Sequence, residues 1–250
     1  RGGRREMVWR GSHAPQPGDF CIAEVPELGP AHLVEVLGAD DRPEWDDSTV
    51  VSQFRLRVAF PARAEAEARA FSEPGTRERR GRLDLRDRLV FTIDPEDARD
   101  HDDALSVERL ATHRWEVGIH IADVSHYVTP GSALDVEARE RGTSTYLPGG
   151  VVPMLPEALS SDLCSLRPDR DRLAISVMVE LDPGGRAHGF RFAESVIRSR
   201  HRLNYTEVQE ALDGRRKLGN DVQAALYAFE HAALAGQDFE SRGALGGGES

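Results

Sequence analysis

Between Asp94 and Asp103 the chain sets six carboxylates, Asp94, Glu96, Asp97, Asp100, Asp102 and Asp103, against a single cation, Arg99. That stretch carries a net charge of −5, nearly half of the −11 carried by all 250 residues. Carboxylates crowded onto one loop repel one another, so the arrangement is costly unless cations neutralise it. A hard divalent ion would do so. Magnesium and manganese take oxygen ligands, and two such ions about 3.5 to 4 Å apart can stabilise both the attacking and the leaving oxygen of a phosphoryl displacement. Upstream, Leu89-Val90-Phe91-Thr92-Ile93 alternates apolar bulk at 89, 91 and 93 and stops at Asp94-Pro95, the pattern of a strand that delivers Asp94 into a loop. In extended backbone Asp100 and Asp102 project to one side and Asp103 to the other, so the loop must curl for them to converge with Asp94. From clustering alone, a solvated acidic turn in which one aspartate caps the next element is an equal reading. An EF-hand is excluded: counting from Asp100, Leu105 stands where glycine is needed and Ala111 where glutamate is needed.

The remaining sequence frames that segment. With 39% hydrophobic residues there is enough apolar content for one or two packed domains, and no apolar run approaches the roughly 18 residues of a membrane span. Asp19–Val25, Ala31–Leu37 and Phe54–Val58 read as short strands punctuated by Pro26, Gly29, Pro30 and Gly38, which suggests a small β-barrel or sandwich. Pro61–Phe71 reads as an alanine-rich linker helix, and 72–88 as a polar connector. Trp115–Ile121 and Leu173–Leu181 read as further strands; Ser132–Arg141, Thr206–Leu212 and Asn220–Ser241 read as helices. The expected organisation is a disordered or partial N-terminal segment over 1–16, a barrel-like domain over 17–60, a linker over 61–88 and a mixed domain over 89–250, an α+β chain overall.

His120 lies inside an alternating strand and reads as a hydrogen-bonded structural histidine; His101 and His126 receive no role. Of the 32 basic residues only Lys217 is a lysine. The run Arg191, Arg198, Arg200 and Arg202 reads as a solvated strand face, with phosphate contact as the alternative. Cys21 and Cys164 are too few and too far apart for a zinc quartet or a disulfide scaffold, which fits a reducing cytoplasm, and Cys164 reads as a small buried residue.

The string from Asp94 to Leu105 closely resembles the catalytic signature of the ribonuclease II family. Gly81–Asp87, Val117–Val128, Arg141–Pro148, Met154–Pro156, Leu163–Leu166, Ser195–Ser199 and Arg202–Tyr205 resemble the family's other blocks in order and spacing. Gly38 and the Phe60-Pro61 turn resemble the end of the OB, cold-shock-like domain that precedes the family's RNB catalytic domain. The resemblance implies a small N-terminal OB barrel followed by a truncated, mixed α/β catalytic domain. It implies metal-dependent 3′-to-5′ hydrolysis of single-stranded RNA to nucleoside 5′-monophosphates, with Mg2+, or Mn2+, as cofactor. Asp94, Asp100, Asp102 and Asp103 match the family's four acidic residues. By that match Asp94, Asp100 and Asp103 hold or orient the metal, Asp102 serves hydrolysis most directly, and Tyr146 clamps the base at the 3′ end by stacking. The expected partner is RNA, with no membrane and no stable protein partner. The family's later catalytic segments are not found among these residues, so the expectation is a fragment. A non-catalytic RNA-binding or regulatory module on the same fold is the alternative.

Overall fold

The computed structural model describes residues 7–8, 14–17, 19–24, 26, 30–39, 43–111 and 113–230. In chain order its elements begin with β1 (Met7–Val8), β2 (Asp19–Glu24), β3 (Ala31–Ala39), α1 (Pro43–Gln53), α2 (Ala62–Ala70) and α3 (Thr76–Arg79). Then come β4 (Leu83–Asp84), β5 (Val90–Asp94), β6 (Asp103–Arg109), β7 (Trp115–Ala122), α4 (Ala133–Arg141), β8 (Thr145–Leu147) and β9 (Gly150–Val152). The last are β10 (Asp171–Leu181), β11 (Ala187–Asn204), α5 (Tyr205–Leu212) and a helix over 220–230, here α6. The composition is α+β, as expected. Two compact units emerge: Arg1–Glu65 with Ala133–Pro156, and Ala66–Ser132 with Glu157–Ser250.

In the first unit β1, β3 and β2 form a three-stranded sheet in that order. Among the described residues this is not the closed barrel expected over 17–60, and no strand forms at Phe54–Val58. The chain is instead helical over α1, which starts at a proline, favourable to a helix start. It stops at Arg55 in the left-handed region, φ 52°, where the Leu56 N–H reaches back to the Val51 carbonyl. Phe54 and Val58 are left exposed, so their alternation serves no sheet. In the same unit, buried Glu137 of α4 receives Arg57 at 2.8 Å and Arg141 at 2.9 Å, and the Arg141 guanidinium lies 3.6 Å from the centre of the Phe60 ring.

The second unit is built on a sheet of order β10-β7-β6-β5-β11-β4. Because β10 pairs with both β7 and β11, while β11 bends at a bulge near Ser199–His201 to run parallel to β5, five strands close into a hydrogen-bonded circuit. One face of this circuit carries a buried polar chain among apolar residues such as Val90 and Met178. His120 is fully buried there, with Nδ1 2.7 Å from Ser176 Oγ and Nε2 3.0 Å from Ser106 Oγ, and Ser176 Oγ is 2.6 Å from Ser195 Oγ. The ring needs space as well as partners: a Cβ on Gly118 would collide with both the imidazole and Ser106 Oγ. His120 is therefore the structural histidine its strand position implied. The opposite face is apolar. Over β5, β6 and the end of β11 it is covered by α5 and α6, where Phe91, Leu203, Ala211, Val222, Ala225 and Leu226 form a buried cluster. Helix α5 starts from a reciprocal cap, Asn204 Oδ1 accepting from the Glu207 N–H at 2.8 Å and Glu207 Oε2 from the Asn204 N–H at 3.1 Å. Of the expected helix Asn220–Ser241, residues beyond 230 lie outside the described ones.

Candidate active site

Strand β5 ends at Asp94 and β6 begins at Asp103, so the loop 95–102 joins the ends of two adjacent antiparallel strands. Its first half is a turn in which the Ala98 N–H donates to the Pro95 carbonyl. Arg202 of β11 clasps that turn, its Nη2 donating to the carbonyls of Glu96 and Ala98. The second half is fixed through His101. Its N–H donates to Ser165 Oγ at 3.1 Å, its carbonyl accepts from the Leu166 N–H at 2.8 Å, and its Nδ1 lies 2.7 Å from Asp94 Oδ2. The Asp102 carbonyl accepts from the Ala122 N–H at the end of β7. With residue 101 gripped from both sides and residue 102 tied to β7, Asp100 and Asp102 are held on either side of a hydrogen-bonded peptide segment.

The grip itself rests on Arg172. This side chain is 1% exposed, and it donates from Nε to the Ser165 carbonyl at 2.9 Å and from Nη2 to Asp162 Oδ1 at 2.9 Å. Asp162 lies in a π-helical turn over Leu159–Leu163 that feeds directly into Cys164–Leu166. Ser165 and Arg172 were not singled out from the sequence. The nearest signal was the block Leu163–Leu166, whose polar member sits among apolar neighbours.

Asp94 and His101 are buried, whereas the side chains of Asp102 and Asp103 reach solvent and Asp100 is half-buried. The four carboxylates feel one another. Partial burial, followed by repulsion from Asp100, Asp103 and Asp94, lifts the Asp102 carboxyl above its ordinary range. Burial and then Asp94 do the same to Asp103. The structure thus brings the four predicted acids into one electrostatic cluster. All their donors are hard oxygens, which suits a hard divalent cation. Among the described residues no three His, Cys, Asp or Glu side chains form a ready coordination shell. Burial pushes the Cys164 thiol up to about 12, so it is no nucleophile. The arginine run is engaged by the protein: Arg191 with Glu116 at 2.9 Å, Arg198 with Asp171 at 2.6 Å and Arg200 with the Arg86 carbonyl at 3.0 Å, besides Arg202 on the acidic loop. Tyr146 belongs to the first unit. It sits in β8, paired with Val151 of β9, with its side chain 65% exposed.

A family model described as the RNB domain matches residues 82–238, from the residue before β4 through the acidic loop and beyond α5. The chain belongs to the RNB family. Ribonuclease R of Chlamydia muridarum is 40% identical over 219 residues, 87% of this chain and 31% of that protein. Ribonuclease R of Thermotoga maritima is 44% identical over 207 residues, 79% of this chain and 29% of that protein. This RNB chain therefore spans about a third of the length of the curated relatives it matches. Mycoplasma genitalium RNase R, solved in complex with double-stranded RNA, matches at a TM-score of 0.77 and 29% identity, covering 93% of this chain and 42% of that one. Yeast Ssd1, a pseudonuclease, shares the RNB fold at a TM-score of 0.69 and 21% identity. Among the described residues of this RNB chain no helix is long and apolar enough to cross a membrane.

Proposed function

We propose that this chain is the acid-bearing part of a metal-dependent exoribonuclease that hydrolyses single-stranded RNA from its 3′ end to nucleoside 5′-monophosphates in the cytoplasm. The observation that carries this reading is the clamped loop that gathers Asp94, Asp100, Asp102 and Asp103 at the adjoining ends of β5 and β6. RNA as substrate class is supported by the RNase R relatives, one of them solved with RNA bound. Asp94, Asp100, Asp102 and Asp103 would hold Mg2+ or Mn2+, and when bound such an ion offsets charge on the phosphoryl oxygens and acidifies a water. The chain's own residues do the rest. Asp94, its Oδ2 tied to His101, is the fixed corner of the set, while Asp102 and Asp103 are free to adjust from the solvent side. Asp102, whose proton affinity is lifted by burial and by its three neighbours, suits accepting a proton from the attacking water. Tyr146, exposed on a short hairpin, offers a ring face that any terminal base can stack on, worth about 1–3 kcal/mol without regard to sequence.

The deciding experiment uses a protein of the relatives' length. Asp102→Asn removes a charge while keeping the shape, so affinity for single-stranded RNA should persist while monophosphate release with magnesium falls by about three orders of magnitude or more. Equal loss of both would assign Asp102 to structure alone. Salt-sensitive binding by the wild type without release would favour a non-catalytic RNA-binding module, the condition of a pseudonuclease on this fold.

A further inference from the structure

The apolar face of the circuit is only half covered. Cross-strand partners share a face, so the register gives its composition row by row across β6, β7, β10 and β11. One row is Leu105, Ile119, Val177 and Phe192; the next is Val107, Val117, Val179 and Phe190. A third runs Asp103, Ile121, Ile175 and Glu194. At the β6 side Leu105 and Val107 pack against the cluster under α5 and α6. At the other side Ile121 is 45%, Phe190 71% and Phe192 67% exposed, and the two phenylalanines touch each other edge to face.

We propose that this open half seats a further apolar layer of the RNB polypeptide, supplied in cis by the part of the whole protein that the matched relatives carry and this chain does not span. Three observations point to that occupant. The open surface is continuous with the α5–α6 cluster, so a segment laid over Ile119, Val177 and Phe192 extends an existing layer instead of starting a new one. The chain fills only 42% of Mycoplasma genitalium RNase R, which leaves ample polypeptide to complete it. The positions are mainly aliphatic with acids, Asp103 and Glu194, at one border, and Arg191 is paired with Glu116. Single-stranded nucleic acid sites instead combine aromatic platforms with a basic groove. Contiguous exposed apolar surface of this kind marks a contact site. A segment lying here borders Asp103, so the layer that completes the core also brings its own side chains beside the acidic loop.

Cysteine labelling tests this without reference to catalysis. In a Cys21→Ser background, with Cys164 only 3% exposed, Phe192→Cys and separately Ile121→Cys are labelled with a maleimide in the 250-residue chain and in a version extended to the relatives' length. Circular dichroism confirms that each variant is folded. Both thiols should react at the rate of an exposed thiol in the 250-residue chain and at least about 100-fold more slowly in the longer protein, as burial in a stable core requires. Equal rates at the two lengths would overturn the proposal. So would protection of the short chain that grows with its own concentration, which assigns the face to a second copy, or protection seen only with added single-stranded RNA.

Discussion

Removing Arg82 should cost more than removing any exposed arginine of this chain, and the loss should reverse with acid. Arg82 Nη2 and Asp123 Oδ2 are 2.6 Å apart, with side chains 7% and 3% exposed. Asp123 also accepts from Ser125 Oγ and the His126 N–H, and burial alone would raise its carboxyl, but Ser125 and Arg82 outweigh burial and hold it below the usual range. In the wild type this pair is stabilising above the ordinary carboxylate pKa and is lost only as pH falls through the lowered folded value. Arg82→Met leaves a buried carboxylate with two neutral donors and no counter-charge, a loss of about 3–5 kcal/mol at pH 7. Asp123→Asn keeps the shape and leaves Arg82 near the exposed Glu194 at 3.9 Å, so its cost should be about 2 kcal/mol. The double variant should be more stable than the sum predicts by about 2 kcal/mol. In Arg82→Met burial without a counter-charge favours the protonated carboxyl, so lowering the pH from 7 to 5 should recover stability, whereas the wild-type pair is unaffected over that range. Urea unfolding followed by circular dichroism at both pH values measures all of this. Single effects additive within about 0.5 kcal/mol, or an Arg82→Met variant equally unstable at pH 5, would refute the reasoning.

Other outcomes follow from the same geometry. Melting temperature should rise with free Mg2+ or Mn2+, because relief of repulsion among the four aspartates favours the native state, and Asp100→Asn should blunt the rise in a thermal-shift titration. His120, held neutral by burial and then by Arg88 with its pKa down at about 4, takes no proton in the fold where the unfolded chain does. Its contribution is intact above pH 6.5, and stability should fall by about 3 kcal/mol between pH 6.5 and 4, a loss absent from the stability–pH profile of His120→Gln. In a protein of the relatives' length, Tyr146→Ala should leave metal binding intact and lengthen the final undegraded oligonucleotide on a gel of end-labelled RNA, whereas Tyr146→Phe should match the wild type.

How much of this was legible in the sequence depended on how local each signal was. Strand β5 was readable to within one residue because Leu89–Ile93 alternates apolar bulk and stops at Asp94-Pro95, and α5 was readable over Thr206–Leu212, one residue short of its start. Strand β6 was not, because its buried positions are Ala104 and Ser106, too small and too polar to register as an apolar face. Strand β11 was unreadable as one 18-residue strand, since its arginines find their acids in distant residues: Glu116 lies 75 positions from Arg191, and Asp171 27 from Arg198. The aspartates of the site announced themselves by crowding. What holds them, Ser165 and Arg172, is contributed 64 or more positions away from His101, and no spacing rule links the two.

The chain of hydroxyls and imidazole from Ser106 through His120 and Ser176 to Ser195 takes one residue from each of β6, β7, β10 and β11. Alternation alone cannot align these strands: a slip of one residue would turn the apolar side chains over, but a slip of two would leave every side chain on its proper face. Along β10 and β11, where Val177, Val179, Phe190 and Phe192 repeat every second position, a two-residue slip would exchange like for like. It would also part the Ser195 hydroxyl from Ser176 Oγ and from the Ala174 carbonyl in a dry interior, at about 1–3 kcal/mol for each group left unpaired. The four polar residues thus act as an alignment key. They distinguish the observed alignment of β6, β7, β10 and β11 from neighbouring threadings that hydrophobic burial would accept equally well.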